Sequence, residues 1–404
     1  MIFIMAWRNI WRNKMRSIVI ILSVAIGLFA GIAVLALYNG MLKGRVRTVI
    51  DAEVAHIQIH DTSFKKDYDP AYVILKGDVI MKALRSMPQV KAFSARSITQ
   101  GMLVTTTGSA GVQINGVQPM EEYEVSGLKK KIIEGDGFTP GKKNEILIGR
   151  KLADKMKLKI GSKLVLTFTD STADIVSAAF RVAGIYRSNN APLDERNVYV
   201  EKKTLNELLS IRNQVHEIAV LLYRDEDLNA VQQQLQKEFP SYQVETWRQI
   251  SRETDLMVNT VDVYSYIIMI IIMFALAFGI INTMLMAILE RTREIGMMTA
   301  LGMKRYRLFF LVLLETIFLT LCGTPIGLAT SWLAINYFNK NGLDLSGMGK
   351  ELMSSFGYST IIYPEFPSDK IIIVLLIVII TAVVSCLFPA LKALRLQPVE
   401  ALRR

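Results

Sequence analysis

The stretch from Ile267 to Arg307 begins IIMIIIMFALAFGIINTMLMAIL over 267–289, turns to ERTREIG over 290–296, and continues MMTALGMKR over 297–305. Its first part is an apolar run long enough for a helix to cross a bilayer, which takes about 20 residues. The charged part must lie in water, and basic residues beside short loops favour the cytoplasm. The stretch therefore predicts a structured cytoplasmic segment, residues 290–307, between two membrane helices.

Apolar runs of similar length recur elsewhere in the chain. Of its 404 residues, 51% are hydrophobic and 21% are charged, which is too apolar for an ordinary soluble protein and too charged for a membrane bundle alone. We therefore predict an α-helical membrane protein with four transmembrane helices and a large two-part extracytoplasmic α+β domain at residues 40–262. The predicted membrane helices cover residues 18–39, 263–289, 308–335 and 371–391.

The formal net charge of +11 is concentrated beside these spans. The N-terminal flank, the segment 290–307 and the tail 392–404 together carry 13 basic and three acidic residues, whereas residues 40–262 carry 31 basic and 28 acidic residues. The positive-inside rule places both termini and the segment 290–307 in the cytoplasm, with residues 40–262 and a short loop, 336–370, outside. Because membrane orientation explains the basic excess, no nucleic-acid partner is expected.

The N-terminal segment, residues 1–17, is amphipathic. Trp7 and Trp11 are four residues apart and share one helical face, while Arg8 and Arg12 lie on another. We predict a cytoplasmic interfacial helix along the inner leaflet, in contact with membrane lipids, rather than a simple charged flank.

Small residues recur at four-residue spacing in two of the spans. Ser23, Gly27 and Gly31 form a doubled ladder in the first span, and Gly323 and Gly327 form a single step in the third. Such ladders let helix backbones approach closely. The doubled ladder is the favoured helix–helix contact and could join two protomers.

The outer domain is predicted to have two parts. Strand–helix–strand patterns at both ends, about 50–110 and 214–250, indicate one α+β subdomain. The residues between them, about 111–213, are rich in short strands and are interpreted as an inserted β-rich subdomain.

The search for catalytic and metal-binding motifs is negative. The chain lacks G-x-x-x-x-G-K-[ST], H-E-x-x-H and G-x-S-x-G, so no catalytic residue and no nucleotide site are predicted. Only three histidines exist, His56, His60 and His216. A metal site would need all three to converge, so a polar or partly buried strand face is favoured and no metal is expected.

Glu315 is an acidic residue inside a predicted span. A carboxylate there is costly and needs hydration or a partner, for which Asn282 or an arginine is available. A structural contact between helices is favoured over a role in ion coupling.

Several short motifs together resemble the permease subunits of the MacB/FtsX-like ABC superfamily, closest to the lipoprotein-releasing (Lol-type) permeases. They lie in the cytoplasmic segment, at the C-terminus, after the first span and in the outer domain. These motifs are Ile288–Gly296 with Ala300–Gly302, Pro389–Ala390 with Pro398–Leu402, Asn39–Met41, and Asn144–Gly149 with Ile160–Ser162.

The resemblance implies a bacterial inner-membrane permease that is not itself an enzyme and has a MacB-like periplasmic domain. It implies a dimer with the same or a homologous permease and a partner ABC ATPase on a separate chain, which binds ATP and Mg²⁺, so no cofactor is expected here. Mechanical transmission would drive release of a lipoprotein or amphipathic substrate, in some members to a periplasmic carrier. A MacB-type exporter of peptides or drugs and an FtsX-like regulator of a cell-wall hydrolase remain alternatives.

The same resemblance makes the segment 290–307 the surface that couples to the ATPase. Its charged residues are expected to dock in polar grooves, its apolar residues to fill a notch, and its glycines to permit turns. The expected coupling residues are Glu290, Arg291, Arg293, Glu294, Ile295, Gly296, Met298, Leu301 and Gly302.

Overall fold

The computed structural model describes residues 2–12, 14–300, 303–368 and 370–394. These residues form two compact units. The membrane unit is built from the described residues of Met1–Leu42, Asn259–Asp344 and Ile361–Arg404. The outer unit is built from Lys43–Val258 and Leu345–Thr360.

The α-helices are numbered in chain order. They are α1 Ile2–Arg12, α2 Lys14–Thr48, α3 Phe64–Asp67, α4 Gly77–Ser86, α5 Pro119–Ser126, α6 Leu128–Lys131, α7 Arg150–Met156, α8 Ala191–Arg196, α9 Lys202–Leu209, α10 Leu228–Glu238, α11 Trp247–Ile250, α12 Arg252–Glu290, α13 Thr292–Ala300, α14 Arg305–Asn341, α15 Lys350–Ser355 and α16 Ile371–Leu394.

The strands follow the same numbering. They are β1 Ile57–Asp61, β2 Val90–Thr105, β3 Gly108–Val117, β4 Ile132–Gly135, β5 Glu145–Gly149, β6 Lys163–Thr169, β7 Ile175–Tyr186, β8 Asn197–Glu201, β9 Glu217–Leu222, β10 Tyr242–Thr246, β11 Leu343–Asp344 and β12 Ile361–Ile362.

Four helices of the described chain, α2, α12, α14 and α16, are long and apolar enough to cross a membrane. At a rise of about 1.5 Å per residue, the 39 residues of α12 extend about 58 Å, well beyond a hydrocarbon core of about 30 Å. The predicted spans thus correspond to the apolar parts of longer helices, whose polar ends continue the helix where water is available. α2 continues as one turn of π-helix, Val49–Val54, and ends at Ala55 with φ 62°.

The closest helix approach in the membrane unit lies at the glycines of α14. A Cβ added to Gly323 would lie 2.8 Å from the Ile21 carbonyl oxygen of α2, and one added to Gly327 would lie 2.9 Å from that of Ala25. Only a residue without a side chain permits this contact. The single step Gly323–Gly327, which the sequence ranked below the doubled ladder of the first span, therefore makes the tighter helix contact.

The doubled ladder of α2 packs within the chain. A Cβ on Gly27 would meet Leu276 of α12 at 3.1 Å, and one on Gly31 would meet Met273 at 3.8 Å. Ser23 donates a hydrogen bond to the Val19 carbonyl at 2.8 Å, inside α2 itself. α12 of the same chain therefore packs against both glycines, and a contact between protomers at this ladder stays a prediction.

The ends of α2 and α14 meet the segment that precedes α16. A Cβ on Gly40 would lie 2.4 Å from the Tyr363 carbonyl oxygen, so glycine is required there. Asn339 Nδ2 donates to the Pro364 carbonyl at 2.8 Å, and the Glu365 amide donates to the Ala36 carbonyl at 3.2 Å. These contacts fix the end of the first span.

The outer unit is built on one mixed sheet. Its strands follow the order β10-β1-β9-β2-β3-β8-β5-β7-β4, with β6 paired to β2 and β7. Neighbours are antiparallel except for the parallel pairs β3–β8 and β5–β7. One apolar core lies around β1, β9 and β10 with α4 and α10, and another fills the β-rich lobe around Leu103, Ile148 and Leu166.

β2 belongs to both lobes. Its first half pairs with β9 through Arg96, and its second half pairs with β3 from Ser97 to Thr105. The predicted boundary lies near residue 110, whereas the second half of β2 already pairs with β3 and β6 of the β-rich lobe. Gly101 made the continuous strand hard to predict, because glycine in a strand interior weakens the sequence pattern of a strand. The structure requires glycine there, since a Cβ on Gly101 would lie 2.5 Å from the Thr167 carbonyl oxygen of β6.

The segment between α14 and α16 contributes residues Leu345–Thr360 to the outer unit. Gly357, with φ +72°, lies against the guanidinium of Arg45, and the Tyr358 hydroxyl is 3.5 Å from the Met257 sulfur. Arg45 pairs with Glu53 at 2.5 Å, and Asn190 donates to the same Glu53 oxygen at 2.6 Å. This predicted short loop is therefore packed on the outer unit.

Candidate functional site

The charged segment after α12 folds as a separate short helix, α13. The chain turns at Arg291, whose amide donates to the Ile288 carbonyl at 3.2 Å, and the Thr292 hydroxyl donates to the Leu289 carbonyl at 2.7 Å. Glu294 lies in the first turn, where a carboxylate favours the positive end of the helix dipole. The sequence therefore specifies an ordered helix between the spans.

A chain of alternating charges ties α13 to two other helices. Arg12 of α1 forms an ion pair with Glu294. Arg291 Nε donates to the second Glu294 oxygen at 3.0 Å, and Arg291 Nη1 reaches the carboxylate oxygens of Glu315 in α14 at 3.4 and 3.5 Å. We call these four residues the charge relay. It connects the water-exposed end of α1 with a carboxylate buried in the bundle.

Hydrogen bonding determines the ionisation of the α13 carboxylate. The bond from Arg12 lowers the pKa of Glu294 below its ordinary value, and the adjacent Arg291 acts in the same direction. Glu294 therefore remains charged at neutral pH, and the relay persists.

The apolar face of α13 turns toward the bundle. Ile295 is only 6% exposed and belongs to the core that α2, α12, α14 and α16 share, and Met298 packs against that core. A narrow cavity of about 30 Å³ beside them is lined by residues such as Met284 and Leu311. Ile295 thus packs in the chain's own core and Met298 lies partly buried against it, and their insertion into a notch of an ATPase stays a prediction.

Three side chains of this region are exposed to solvent. Glu290 is the last residue of α12, and Arg293 and Met297 belong to α13. Met297 is 52% exposed and was not among the expected coupling residues. Gly296 is buried. Two expected coupling residues, Leu301 and Gly302, lie outside the described residues. Docking by Glu290 and Arg293 stays a prediction, as does docking by Arg291 and Glu294, which form the ion pairs described above.

Glu315 takes an arginine partner. Its side chain is 10% exposed, and Arg291 is the partner that the sequence analysis left open. The alternative, Asn282, lies on an exposed position of α12. Sequence reasoning missed Arg12 as a member of this site, because 282 positions separate it from Glu294 and no local pattern links them.

α1 packs along α14 instead of presenting only a polar face. Ala6 and Ile10 are buried in the bundle core, and the rings of Phe3 and Trp7 both lie 5.7 Å from that of Phe318. The Trp pair, 6.0 Å apart, is about half exposed. This packing positions Arg12 for its ion pair.

The three histidines have separate structural roles. His56 Nε2 lies 2.8 Å from Asp225, and His60 Nε2 lies 2.8 Å from Glu245. His216 Nδ1 accepts from the Ile98 amide at 2.9 Å, and its ring stacks on Phe64. Among the residues that the structure describes, no group of three or more His, Cys, Asp or Glu side chains could hold a metal ion.

Comparison with known families accounts for most of the chain. Residues 17–238 match the MacB-like periplasmic core domain, and residues 266–398 match the FtsX-like permease C-terminal region. The chain therefore belongs to the MacB/FtsX-like permease superfamily of ABC transporters. It is a multi-pass inner-membrane permease with a periplasmic-type outer domain.

Several curated relatives align along nearly the whole chain. An uncharacterised ABC transporter permease of Methanocaldococcus jannaschii is 22% identical over 98% of this chain and 96% of its own length. The lipoprotein-releasing system transmembrane protein LolC of Neisseria meningitidis is 22% identical over 97% and 95%. The macrolide export ATP-binding/permease protein MacB of Campylobacter jejuni is 24% identical over the whole chain, which spans only 61% of that longer protein.

Two solved structures align with about half of the chain. The periplasmic region of MacB from Actinobacillus actinomycetemcomitans aligns with a TM-score of 0.37 and 13% identity, over 52% of this chain and 95% of that one. The extracellular domain of the transporter YknZ aligns with a TM-score of 0.34 and 16% identity, over 47% and 99%.

Proposed function

We propose that this permease transmits the work of a cytoplasmic ABC ATPase, carried on a separate chain, to its outer domain, and thereby releases lipoproteins or similar amphipathic substrates from the inner membrane. The observation that carries the coupling is α13. It is an ordered helix whose inner face is anchored by Ile295 and the charge relay, while its Arg293 and Met297 are exposed, as is Glu290 at the end of α12.

This anchoring suits α13 for transmitting force from the ATPase to the membrane helices. A flexible charged loop would change its own conformation when the ATPase moves and would transmit little force. A helix joined to α1 and α14 by ion pairs would move together with those helices. ATP and Mg²⁺ would be bound by the partner ATPase. Two permease chains, identical or homologous, would pair with two ATPase subunits.

The choice of substrate rests on a relative. LolC is named for lipoprotein release and aligns end to end with this chain. A periplasmic carrier would then receive the substrate. The MacB relatives, which are named for macrolide export, support export of a macrolide or a similar compound as the competing function.

The coupling is tested with the exposed charges at α13. In proteoliposomes containing the permease and its ATPase, the double variant Glu290→Lys with Arg293→Glu should lose stimulated ATP hydrolysis while the complex-free ATPase is unchanged. The matched control reverses an exposed charge pair of the outer unit, Lys143→Glu with Glu207→Lys, whose charged atoms lie 3.9 Å apart. Unchanged stimulation in the α13 variant would refute the docking surface.

The substrate is tested by depletion. Depleting the permease should leave lipoproteins in the inner membrane, as measured by membrane fractionation, without changing macrolide sensitivity. Normal lipoprotein sorting together with increased macrolide sensitivity would instead identify an exporter, and coupling through α13 would stand unaffected.

A further inference from the structure

The outer unit contains a polar cavity of about 470 Å³ that no step of the proposed coupling uses. All of the residues that line it belong to the outer unit. Its floor is one face of the central sheet, where β9, β2, β3 and β8 lie side by side, and α3, α8 and α11 border it. We call it the amide cavity, because six of its lining side chains are carboxamides: Gln58, Gln113, Asn115, Asn190, Asn197 and Gln249.

Strand register makes the floor of the amide cavity polar. β3 and β8 are parallel neighbours, and Gln113 lies opposite Asn197. Two residues further along both strands, Asn115 lies opposite Tyr199. Residues two apart in a strand point to the same face of the sheet, and paired residues share that face. These side chains therefore form one polar patch, although Asn115 and Tyr199 are buried and a buried sheet face is ordinarily apolar.

The charges around the cavity are balanced. Three acidic and three basic side chains line it. Each carboxylate has a cationic partner: Glu53 with Arg45 at 2.5 Å, Glu217 with Arg96 at 3.1 Å and Glu245 with Lys65 at 2.9 Å. The remaining cation, Arg196, is exposed, so water already stabilises its charge. The cavity therefore has no net charge that would select an ionic ligand.

Two of the carboxamides have one end without a hydrogen-bond partner among the described residues. Gln113 Nε2 donates to Asn115 at 2.9 Å, which leaves the Gln113 carbonyl oxygen available as an acceptor. Gln249 Oε1 accepts from the Thr246 amide at 2.9 Å, which leaves the Gln249 amide nitrogen available as a donor. A ligand in the cavity therefore meets both an acceptor and a donor.

The Tyr68 hydroxyl is a further available group. It lines the cavity and makes no hydrogen bond within the part of the chain that the structure describes. Burial raises the pKa of Tyr68, and the nearby carboxylates of Glu217 and Glu245 act in the same direction. The hydroxyl therefore stays protonated at neutral pH and can donate as well as accept.

We propose that the amide cavity binds a neutral saccharide. Each saccharide hydroxyl both donates and accepts a hydrogen bond, as a carboxamide does, so the ligand and the lining are complementary. Polar groups buried away from water are costly unless they are hydrogen-bonded, and a hydroxyl-rich ligand supplies the missing bonds. The cavity volume lies within the range of about 300–1,000 Å³ that is typical of small-molecule sites. The proposal is independent of coupling through α13 and of the substrate that the permease moves.

The test is saturation-transfer NMR on the full chain in lipid nanodiscs, with maltose, cellobiose, lactose and di-N-acetylchitobiose as probes. Tyr68→Phe removes only a hydroxyl and should weaken saccharide binding by about two- to tenfold, the effect of one lost hydrogen bond. Its matched control, Tyr223→Phe, removes a hydroxyl from an exposed position outside the cavity and should bind like the unaltered chain.

A second pair of variants tests the sheet floor. Gln113→Met keeps the length of the side chain but removes its polar atoms, and it should weaken binding to a similar degree. Gln233→Met makes the same change at an exposed position outside the cavity and should leave binding unchanged. Tyr68→Phe should also leave the thermal unfolding transition unchanged, so that weaker binding by this variant reports the cavity and not the fold.

Further arms identify the source of the saccharide and the class of ligand. Maltose and soluble amylose share one linkage, so binding of maltose alone indicates a free saccharide and binding of both indicates a glycan chain. Absence of saturation transfer to every disaccharide would overturn the proposal. Undiminished binding by both cavity variants would overturn the site. Saturation transfer to trialanine but to no saccharide, lost in the same variants, would assign the cavity to a peptide instead.

Discussion

The Glu315 carboxylate shows why a buried charge persists in a membrane bundle. Its side chain and that of Arg291 are 10% and 12% exposed, so the ion pair between them contributes to the stabilisation of both charges. Removing one member of such a pair leaves an uncompensated charge, whereas replacing both by apolar residues can be nearly neutral.

A double-mutant cycle tests this pair. Glu315→Met and Arg291→Met should each lower the stability of the detergent-solubilised permease, by about 3 kcal/mol for a fully buried pair and less here because Glu294 still contacts Arg291. The double variant Glu315→Met with Arg291→Met should lose less than the sum. Thermal unfolding measures all three. Strict additivity would show that the two side chains do not interact.

His216 predicts a pH dependence of the outer unit. Burial lowers its pKa from 6.5 to about 4, despite the hydrogen bond to the Pro70 carbonyl. The unfolded chain therefore takes up a proton before the folded chain does, so stability is retained above pH 6.5 and declines as the pH falls toward 4.

The corresponding loss is about 3 kcal/mol across that range. His216→Gln should flatten this part of the profile while lowering stability at pH 7, since the bond from the Ile98 amide is altered. Denaturant unfolding of both proteins at several pH values measures the free energy of unfolding across this range. An unchanged slope between pH 6.5 and 4 in the variant would assign the dependence to other groups.

At the scale of elements, two glycines in membrane helices should respond in opposite directions to alanine. Gly327→Ala places a methyl group 2.9 Å from the Ala25 carbonyl oxygen and should destabilise the bundle by about 1–3 kcal/mol. Gly279→Ala has nothing within 4 Å and should stabilise α12 by up to about 1 kcal/mol. Thermal unfolding of both variants checks the difference, and a common sign would contradict the packing of α14 on α2.

The elements also show where sequence reasoning succeeds and where it stops. Apolar length predicted the four spans, and the switch at Glu290 predicted the segment that forms α13. Which face of α13 turns inward could not be predicted, because that depends on the rotation set by the turn at Arg291. Arg12 was missed as a relay member because tertiary packing of α1, not local pattern, brings it to Glu294.

For the whole molecule, the charge distribution predicts orientation. The flanks and the segment 290–307 are strongly basic, while residues 40–262 are nearly balanced. In a background with Cys322→Ala and Cys386→Ala, a cysteine at Lys142 should react with an impermeant maleimide on spheroplasts. A cysteine at Arg293 should react only after permeabilisation. The reverse labelling would invert the proposed topology.

The shared strand β2 has an evolutionary consequence. Residues 90–96 and 97–105 are one uninterrupted stretch of backbone, so the β-rich lobe cannot be exchanged between permeases as a self-contained cassette at that junction. A one-residue insertion near Ser97 would reverse the facing of every side chain on one side of it. Relatives should thus diversify this lobe at the turn around residues 106–107, which leaves both ladders of β2 in register.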